Sequence, residues 1–285
     1  MFLADLWRDY ELLDTSDGER LERWGKYILV RPDPQIIWKD KKEHPLWEKP
    51  DARYKRNGGG GGWVLKNIPD CWNISYKDMK FEISPMGFKH TGLFPEQAAN
   101  WDWFSDLILR AQRPVKVLNL FAYTGGATVA AAKAGASVCH VDASKGMVER
   151  AKHNAKLSGL EDAPIRYIVD DCKKFLEREI RRGNKYDAVI MDPPSYGRGP
   201  RGEVWKLEDQ ICELIDLSLQ VLSDEPLFFL LNSYTTGLSA SAMAYLVDIT
   251  IGKKYGGKSD AQDLALPVSA SGGALPCGSS VRWTK

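Results

Sequence analysis

Residues 116–127 read Lys-Val-Leu-Asn-Leu-Phe-Ala-Tyr-Thr-Gly-Gly-Ala. The apolar run of Val117, Leu118 and Leu120 stops at a turn carrying Gly125 and Gly126, and a small-residue helix follows from Ala127 to Ala134. Strand, glycine turn and helix in that order predict the first unit of a nucleotide-binding α/β sheet. Glycine is needed where the backbone turns sharply and a ligand comes close. Asp142 ends the next apolar run, Ser137–Val141. That is about twenty residues after the turn begins, the spacing at which an acid accepts hydrogen bonds from ribose hydroxyls. A later run, Tyr186–Met191, ends in Asp192-Pro193-Pro194.

Outward from this core, apolar runs and amphipathic stretches alternate. The periodicity predicts strands near 116–120, 137–141, 165–169, 186–191 and 226–231. Helices are expected near 97–112, 126–134, 144–157, 171–182, 204–222 and 239–251. Such alternation builds a parallel sheet with helices on both faces. Trp101 and Trp103 read as packing residues of the first helix. The tail, Asp263–Val268 and Ser279–Trp283, reads as a hairpin around Gly272-Gly273.

Residues 1–90 read differently. Pro32, Pro34, Pro45, Pro50, Pro69 and Pro85 discourage long helices. Strands are expected at Tyr10–Thr15, Tyr27–Arg31, Trp63–Leu65, Trp72–Tyr76 and Lys80–Ser84, with a turn at Ser16-Asp17-Gly18. The five glycines 58–62 read as a mobile loop.

A net charge of +1 leaves no global basic field to hold a polyanion, so any nucleic-acid contact must use local patches. Residues 39–56 carry seven Lys/Arg against four Asp/Glu, and residues 173–185 carry six against two. Tyr54, Trp47 and Trp63 flank the first patch, a mix that suits single-stranded RNA and equally a solvated surface. The five cysteines, Cys71, Cys139, Cys172, Cys212 and Cys277, are odd in number and never spaced CxxC. That argues against zinc and against a disulfide framework, and for a reducing cytosol. The four histidines show no metal spacing. The first ten residues lack a basic-then-apolar leader pattern, and no apolar run reaches membrane-spanning length. The expected protein is therefore cytoplasmic, without membrane or metal partners.

Taken together, Thr91-Gly-Leu-Phe-Pro-Glu-Gln97, Leu118-Asn-Leu-Phe-Ala-Tyr-Thr-Gly-Gly126, Asp142, Asp170-Asp171-Cys172 and Asp192-Pro193-Pro194 carry a resemblance. The chain resembles class I S-adenosylmethionine (SAM) methyltransferases. More narrowly, it is similar to the bacterial group that includes the 23S ribosomal RNA methyltransferases. The likeness covers roughly residues 88–285. It implies a Rossmann-like domain over 91–285, with a mostly parallel seven-stranded sheet and a terminal antiparallel hairpin. Before it stands a small β-rich domain, 1–90, expected to help choose the substrate. SAM has no pyrophosphate and needs no three-glycine cradle, and the chain lacks GxGxxG, which lowers a nicotinamide reading. The resemblance implies that Phe121, Ala122, Tyr123, Thr124, Gly125 and Gly126 line the methionine arm. Asp142, Ala143 and Ser144 would lie at the ribose, and Asp171 and Cys172 at the adenine. Phe94, Gln97 and Asp192 would approach the cofactor. The Cys172 backbone N–H would serve whatever its side chain, and Asp170 or Asp171 equally suits the cap of the helix through Phe175 and Leu176.

Asp192-Pro193-Pro194-Ser195-Tyr196 resembles the motif of amino-group methyltransferases, with Ser195 in the usual aromatic slot. The acid and the first proline carbonyl would accept the two N–H bonds of a planar base amine, so that catalysis is mainly positioning. Tyr196 would stack on the base, and Lys55 and Arg56 would hold RNA. Carbon-5 methylation needs a cysteine nucleophile. The segment Phe229–Thr236, where such relatives often carry it, has none. Nitrogen transfer to an RNA base, ribosomal RNA favoured, is the expected reaction. A protein or small-molecule methyltransferase is the first alternative. A non-catalytic SAM-fold module that binds RNA or a partner is the second.

Overall fold

The computed structural model describes residues 1–57, 60–66, 68–198, 204–235 and 237–285. The chain forms two compact units: Leu3–Ala99 with Ala265–Cys277, and Asn100–Leu264 with Met1–Phe2 and Gly278–Lys285. The sequence places a boundary after residue 90. The units divide after Ala99, and the first also takes in part of the tail hairpin.

The first unit holds a five-stranded sheet in the order Tyr10–Ser16, Glu19–Trp24, Tyr27–Pro32, Ala52–Asn57 and Gly60–Leu65. A separate hairpin pairs Trp72–Tyr76 with Met79–Ile83. Tyr27–Pro32 and Ala52–Asn57 pair in parallel, which demands the long crossover through 33–51. Two of these strands are absent from the sequence reading. Glu19–Trp24 hides behind Glu19, Arg20, Glu22 and Arg23, a charge pattern that masks strand periodicity. Arg20 and Glu22 are nonetheless buried. Arg31 donates to Glu22 from Nε and Nη2 at 2.6 and 2.7 Å, and the Tyr10 hydroxyl donates at 2.8 Å. Burial alone would raise the Glu22 pKa, but Arg31 and Arg20 overcome it and lower it to about 2. Gly60–Gly62, read as loop, belong to the last strand and pair with Arg56 and Lys55 through Gly61 and Gly62. Gly58 and Gly59 lie outside the described residues.

The second unit is built on an eight-stranded sheet. Its order is Phe2–Leu3, Lys258–Pro267, Ala274–Thr284, Phe228–Ser233, Ala188–Met191, Lys116–Leu120, Ser137–Asp142 and Ile165–Val169. The five strands from Phe228–Ser233 to Ile165–Val169 are parallel, and Ala274–Thr284 runs antiparallel to Phe228–Ser233. The sheet is the expected mostly parallel seven strands with a terminal hairpin, plus the two-residue edge strand Phe2–Leu3. From Lys116–Leu120 the chain moves outward through the next two strands, then returns to the opposite side with Ala188–Met191. Open α/β sheets bind ligands at this reversal, beyond the carboxyl ends of the strands.

One face of the sheet presents Leu118, Leu120, Cys139, Val141, Val189, Met191, Phe229 and Leu231 to helices Cys172–Arg182 and Leu207–Val221. The alternate positions face the other way, and there Asn119 donates to Thr128, whose hydroxyl bonds His140 Nδ1 at 2.9 Å. Burial pushes the His140 pKa down to about 3 and keeps the ring neutral. The helix expected from 204 begins at Leu207, because Val204–Lys206 pairs antiparallel with Tyr196–Arg198. The helix expected over 239–251 runs Ala240–Val247 and then widens into a π turn at Asp248–Gly252.

Candidate active site

The turn after Lys116–Leu120 is strained and over-determined. Phe121, Tyr123 and Gly125 all lie in the left-handed region, at φ 55°, 50° and 84°. Each non-glycine residue there costs on the order of 1–2 kcal/mol. Fixed bonds hold them in place. Ala122 N donates to the Val141 carbonyl at 3.1 Å and Gly125 N to the Ala122 carbonyl at 3.0 Å. Tyr123 N donates to Asp142 Oδ2 at 2.8 Å, and Phe121 N donates to Cys172 Sγ at 3.3 Å. Asn154 Nδ2 donates to the Thr124 carbonyl at 2.8 Å. Gly126 opens the following helix, where a Cβ would lie 2.6 Å from the Trp101 ring. The packing residue Trp101 therefore dictates that glycine.

Asp142 ends the neighbouring strand. Besides Tyr123 N, its carboxylate accepts from Ser144 N at 2.8 Å through Oδ1. Burial raises the Asp142 pKa, opposed by these two backbone N–H groups. Each carboxylate oxygen carries two lone pairs, so each retains one acceptor site for a ligand hydroxyl. Ala143 and Ser144 are exposed beside it. Asp142→Ala is expected to weaken SAM binding by about 1–3 kcal/mol, the cost of removing hydrogen bonds to a charged group. Asp142→Asn, which keeps one acceptor, is expected to lose less. Titration calorimetry with SAM decides, and an unchanged affinity in the alanine variant removes Asp142 from the site.

At the next strand end, Asp170 N donates to the Asp142 carbonyl at 3.0 Å. Asp171 caps helix Cys172–Arg182 by accepting from Lys174 N at 3.0 Å, while Asp170 pairs with Arg178. The cap thus belongs to Asp171, which remains exposed. Cys172 differs from the sequence reading, because its side chain is used: the buried sulfur accepts the Phe121 N–H. Burial raises its thiol pKa far above the ordinary range and disfavours a thiolate.

Asp192 is half-buried, Pro193 buried and Pro194 exposed. Asp192 N approaches the Leu120 carbonyl at 3.4 Å, so the acid leaves its strand beside the start of the turn. The hairpin Tyr196–Arg198 with Val204–Lys206 follows, and Tyr196 is half exposed. Trp205 Nε1 donates to the Pro194 carbonyl at 2.6 Å, and its ring lies 5.6 Å from that of Phe121. Leu207 N donates to the Ser195 carbonyl at 3.1 Å. Trp205 thereby ties the Asp-Pro-Pro loop to the strained turn.

Of the other sequence-derived residues, Phe94 and Gln97 belong to the first unit. Phe94 precedes the single helical turn Pro95–Gln97 and Gln97 ends it, with Gln97 buried and the Phe94 ring 5.7 Å from His90. Lys55 and Arg56 are exposed on Ala52–Asn57 of that unit. Sequence reasoning missed Trp205 and Asn154. For Asn154 a signal existed: it is an amide among Val148, Ala151 and Ala155 on the buried stripe of Lys145–Leu157. Trp205 gives no local signal, because its partner lies eleven residues away.

The site fits SAM by its donor set: an acid with spare lone pairs at one strand end, a tight turn, and no phosphate cradle. Among the described residues no cluster of His, Cys, Asp and Glu could hold a metal ion. Among them, too, no helix is long and apolar enough to cross a membrane.

The family described as S-adenosylmethionine-dependent methyltransferase matches residues 47–210. A solved SAM-dependent methyltransferase from Agrobacterium tumefaciens is 38% identical, with a TM-score of 0.91 over 97% of this chain and 90% of that one. Ribosomal RNA large subunit methyltransferase I of Tolumonas auensis is 35% identical over 157 residues, 53% of this chain and 38% of that protein. Ribosomal RNA large subunit methyltransferase K/L of Shewanella frigidimarina is 33% identical over 146 residues, 50% of this chain and 20% of that protein. The chain thus spans well under half the length of these two relatives.

Proposed function

Because this chain belongs to the S-adenosylmethionine-dependent methyltransferase family, we propose that it methylates a nitrogen of an RNA base in the cytoplasm, ribosomal RNA being the favoured substrate. The observation that carries this reading is the Asp192-Pro193-Pro194 loop, fastened by Trp205 beside the turn that Asp142 closes. When bound, SAM supplies an electrophilic methyl on a sulfonium sulfur. Phe121 to Gly126 hold its methionine arm, with Asp142, Ala143 and Ser144 at the ribose and Asp171 with the Cys172 backbone at the adenine.

Asp192 and the Pro193 carbonyl accept the two N–H bonds of an exocyclic amine. They hold its plane so that the nitrogen lone pair faces the methyl group, and the rate gain is mainly orientation. Tyr196 stacks on the extruded base. Nitrogen is favoured over carbon because the end of Phe228–Ser233 offers no cysteine, and Cys172 is engaged with Phe121 N and kept protonated by burial. The first unit, with Lys55 and Arg56, selects the RNA. The names of the two ribosomal RNA methyltransferase relatives support the substrate class.

Incubation with labelled SAM and separated RNA, protein and metabolite fractions tests the proposal. Label in a nitrogen-methylated base of RNA is expected. Label confined to protein or metabolites, or SAM binding without any transfer, would overturn it.

Trp205 acts here as a positioning residue. Trp205→Phe retains a ring against Phe121 but loses the N–H to Pro194. It is expected to lower kcat about 5–15-fold, the worth of one hydrogen bond of roughly 1–1.5 kcal/mol, with SAM affinity unchanged. An unaltered kcat would show that the loop holds its place without Trp205.

A further inference from the structure

In the first unit, the buried carboxylates Glu22 and Asp33 are paired with arginines. Glu22 takes both arms of Arg31, and Arg20 Nε lies 3.7 Å from Glu22 and 3.6 Å from Asp33. Two guanidiniums thus face two carboxylates. Two further cations stand on elements tied to this cluster, without a carboxylate of their own among the described residues. Lys89 comes from the turn Gly87–Lys89, and Arg56 from the strand Ala52–Asn57.

The turn carrying Lys89 is built rather than loose. Its carbonyl accepts from Arg31 Nη1 at 3.1 Å, and its ammonium donates to the Pro32 carbonyl at 2.9 Å. Trp63 Nε1 donates to the Met86 carbonyl at 2.8 Å, fixing the turn to the strand that pairs with Arg56. Lys89 itself sits at φ 68°, a left-handed backbone that a lysine occupies at a cost. The structure therefore holds a half-buried ammonium, with one of its three donors used, on a turn whose carbonyl is gripped by Arg31. A cation so placed is short of negative charge, and an anion supplies it.

We propose that Lys89 and Arg56 form a phosphodiester-binding site for the RNA substrate, backed by the ion cluster of Arg20, Glu22, Arg31 and Asp33. The inference rests on the RNA reading above and names where that RNA is gripped. Phosphate oxygens suit both partners: arginine offers a planar fork and lysine a compact point charge. The contact is sequence-independent and fixes position rather than identity.

The surroundings of Lys89 add a signature. Burial, Arg20, Arg31 and Arg56 all lower its pKa, Asp33 opposes them, and the net value is about 8. The adjacent His90 has its pKa lowered to about 4, by burial first and then by Arg31, Lys89 and Arg20, so it stays neutral above pH 7. Arginine and aspartate side chains as a class titrate far from pH 8. Lys89 is then the group of this cluster whose charge changes between pH 7 and pH 9. Because the ammonium form binds phosphate, RNA affinity should fall as pH rises through that window.

The test measures binding of a fluorescein-labelled, mixed-sequence single-stranded RNA to the full chain by anisotropy, across salt and pH. Lys89→Gln and Arg56→Gln are each expected to weaken binding several-fold and to reduce the slope of log K against log salt by about 0.7. Lys89→Gln should also lose the fall in affinity between pH 7 and pH 9. Lys89→Arg should keep affinity and salt slope yet lose that pH dependence, which a purely structural lysine would not produce. SAM affinity, measured alongside, should stay unchanged and reports that the variants are folded. Wild-type RNA binding with no change in either glutamine variant overturns the site alone. A wild-type chain that binds no RNA at low salt overturns the RNA reading with it.

Discussion

Replacing Asp192 by alanine should lower turnover by roughly 100–1,000-fold, the scale seen when one preorganised polar contact to a reacting group is removed. SAM affinity should stay within about threefold, because the lost contact matters most in the transition state. Asp192 is half-buried, and its backbone approaches Leu120 at the head of the cofactor turn. The alanine variant keeps that backbone path and removes the carboxylate. Single-turnover rates and calorimetry separate the two quantities. If the rate constant and SAM affinity fall in parallel, Asp192 is a cofactor residue and direct transfer to an oriented amine is wrong. A companion experiment concerns sulfur. Cys172→Ser preserves an acceptor for Phe121 N and should stay active, and a 5-fluoropyrimidine RNA should trap no covalent adduct on any of the five cysteines. A trapped adduct would establish carbon methylation instead.

Gly125→Ala should be comparably damaging, through a different route. Gly125 stands at φ 84°, where an alanine costs about 1 kcal/mol. The added Cβ would lie 2.8 Å from Ala151 Cβ, an atom fixed to its helix backbone with no rotamer to yield. Overpacking of that kind costs about 1–3 kcal/mol, so a loss of roughly 2–4 kcal/mol of stability is expected. Because Thr124, Tyr123 and Ala122 hang from the same turn, SAM affinity should fall at least tenfold. Denaturant unfolding and calorimetry measure both. A variant with native stability and affinity would show that the turn shifts freely, contrary to the five bonds that pin it.

The parallel core was legible because each of its strands is an apolar run that ends in a polar, chemically meaningful residue: Leu120 before the turn, Val141 before Asp142, Met191 before Asp192. Burial on both faces produces such runs. The first unit was less legible because its strands break that rule. Glu19–Trp24 carries buried charge whose compensation, Arg31 and Asp33, comes from the next strand and the loop beyond it, and only the folded sheet brings them together. Val204, Leu207 and Ile211 fit helical spacing, so the three residues given to the Tyr196–Arg198 hairpin were read as helix. The residue types of the site were readable: Asp142, Asp192 and the two glycines. Their support was not. Cys172 as an acceptor, Asn154 as a strut and Trp205 as a clamp depend on distances of 11 to 51 residues along the chain, which local pattern does not encode.

The composition of the first unit also bears on how the protein is made. Residues 265–277 complete it: Ala4 N donates to the Ala265 carbonyl, Ser269 N and Ala270 N donate to Leu12 and Leu13, and Gln35 reaches the Cys277 carbonyl. A ribosome delivers Leu3–Ala99 first, yet the intervening 100–264 must emerge before those partners exist. At roughly 5–20 residues per second, that wait lasts on the order of ten to thirty seconds. Throughout it, the strand Tyr10–Ser16 lacks the neighbours that will occupy its outer carbonyls, and an unpaired edge is a template for foreign strands. The nascent chain therefore has a defined period of vulnerability, because the unit begun at Leu3 stays incomplete until Cys277 has been made.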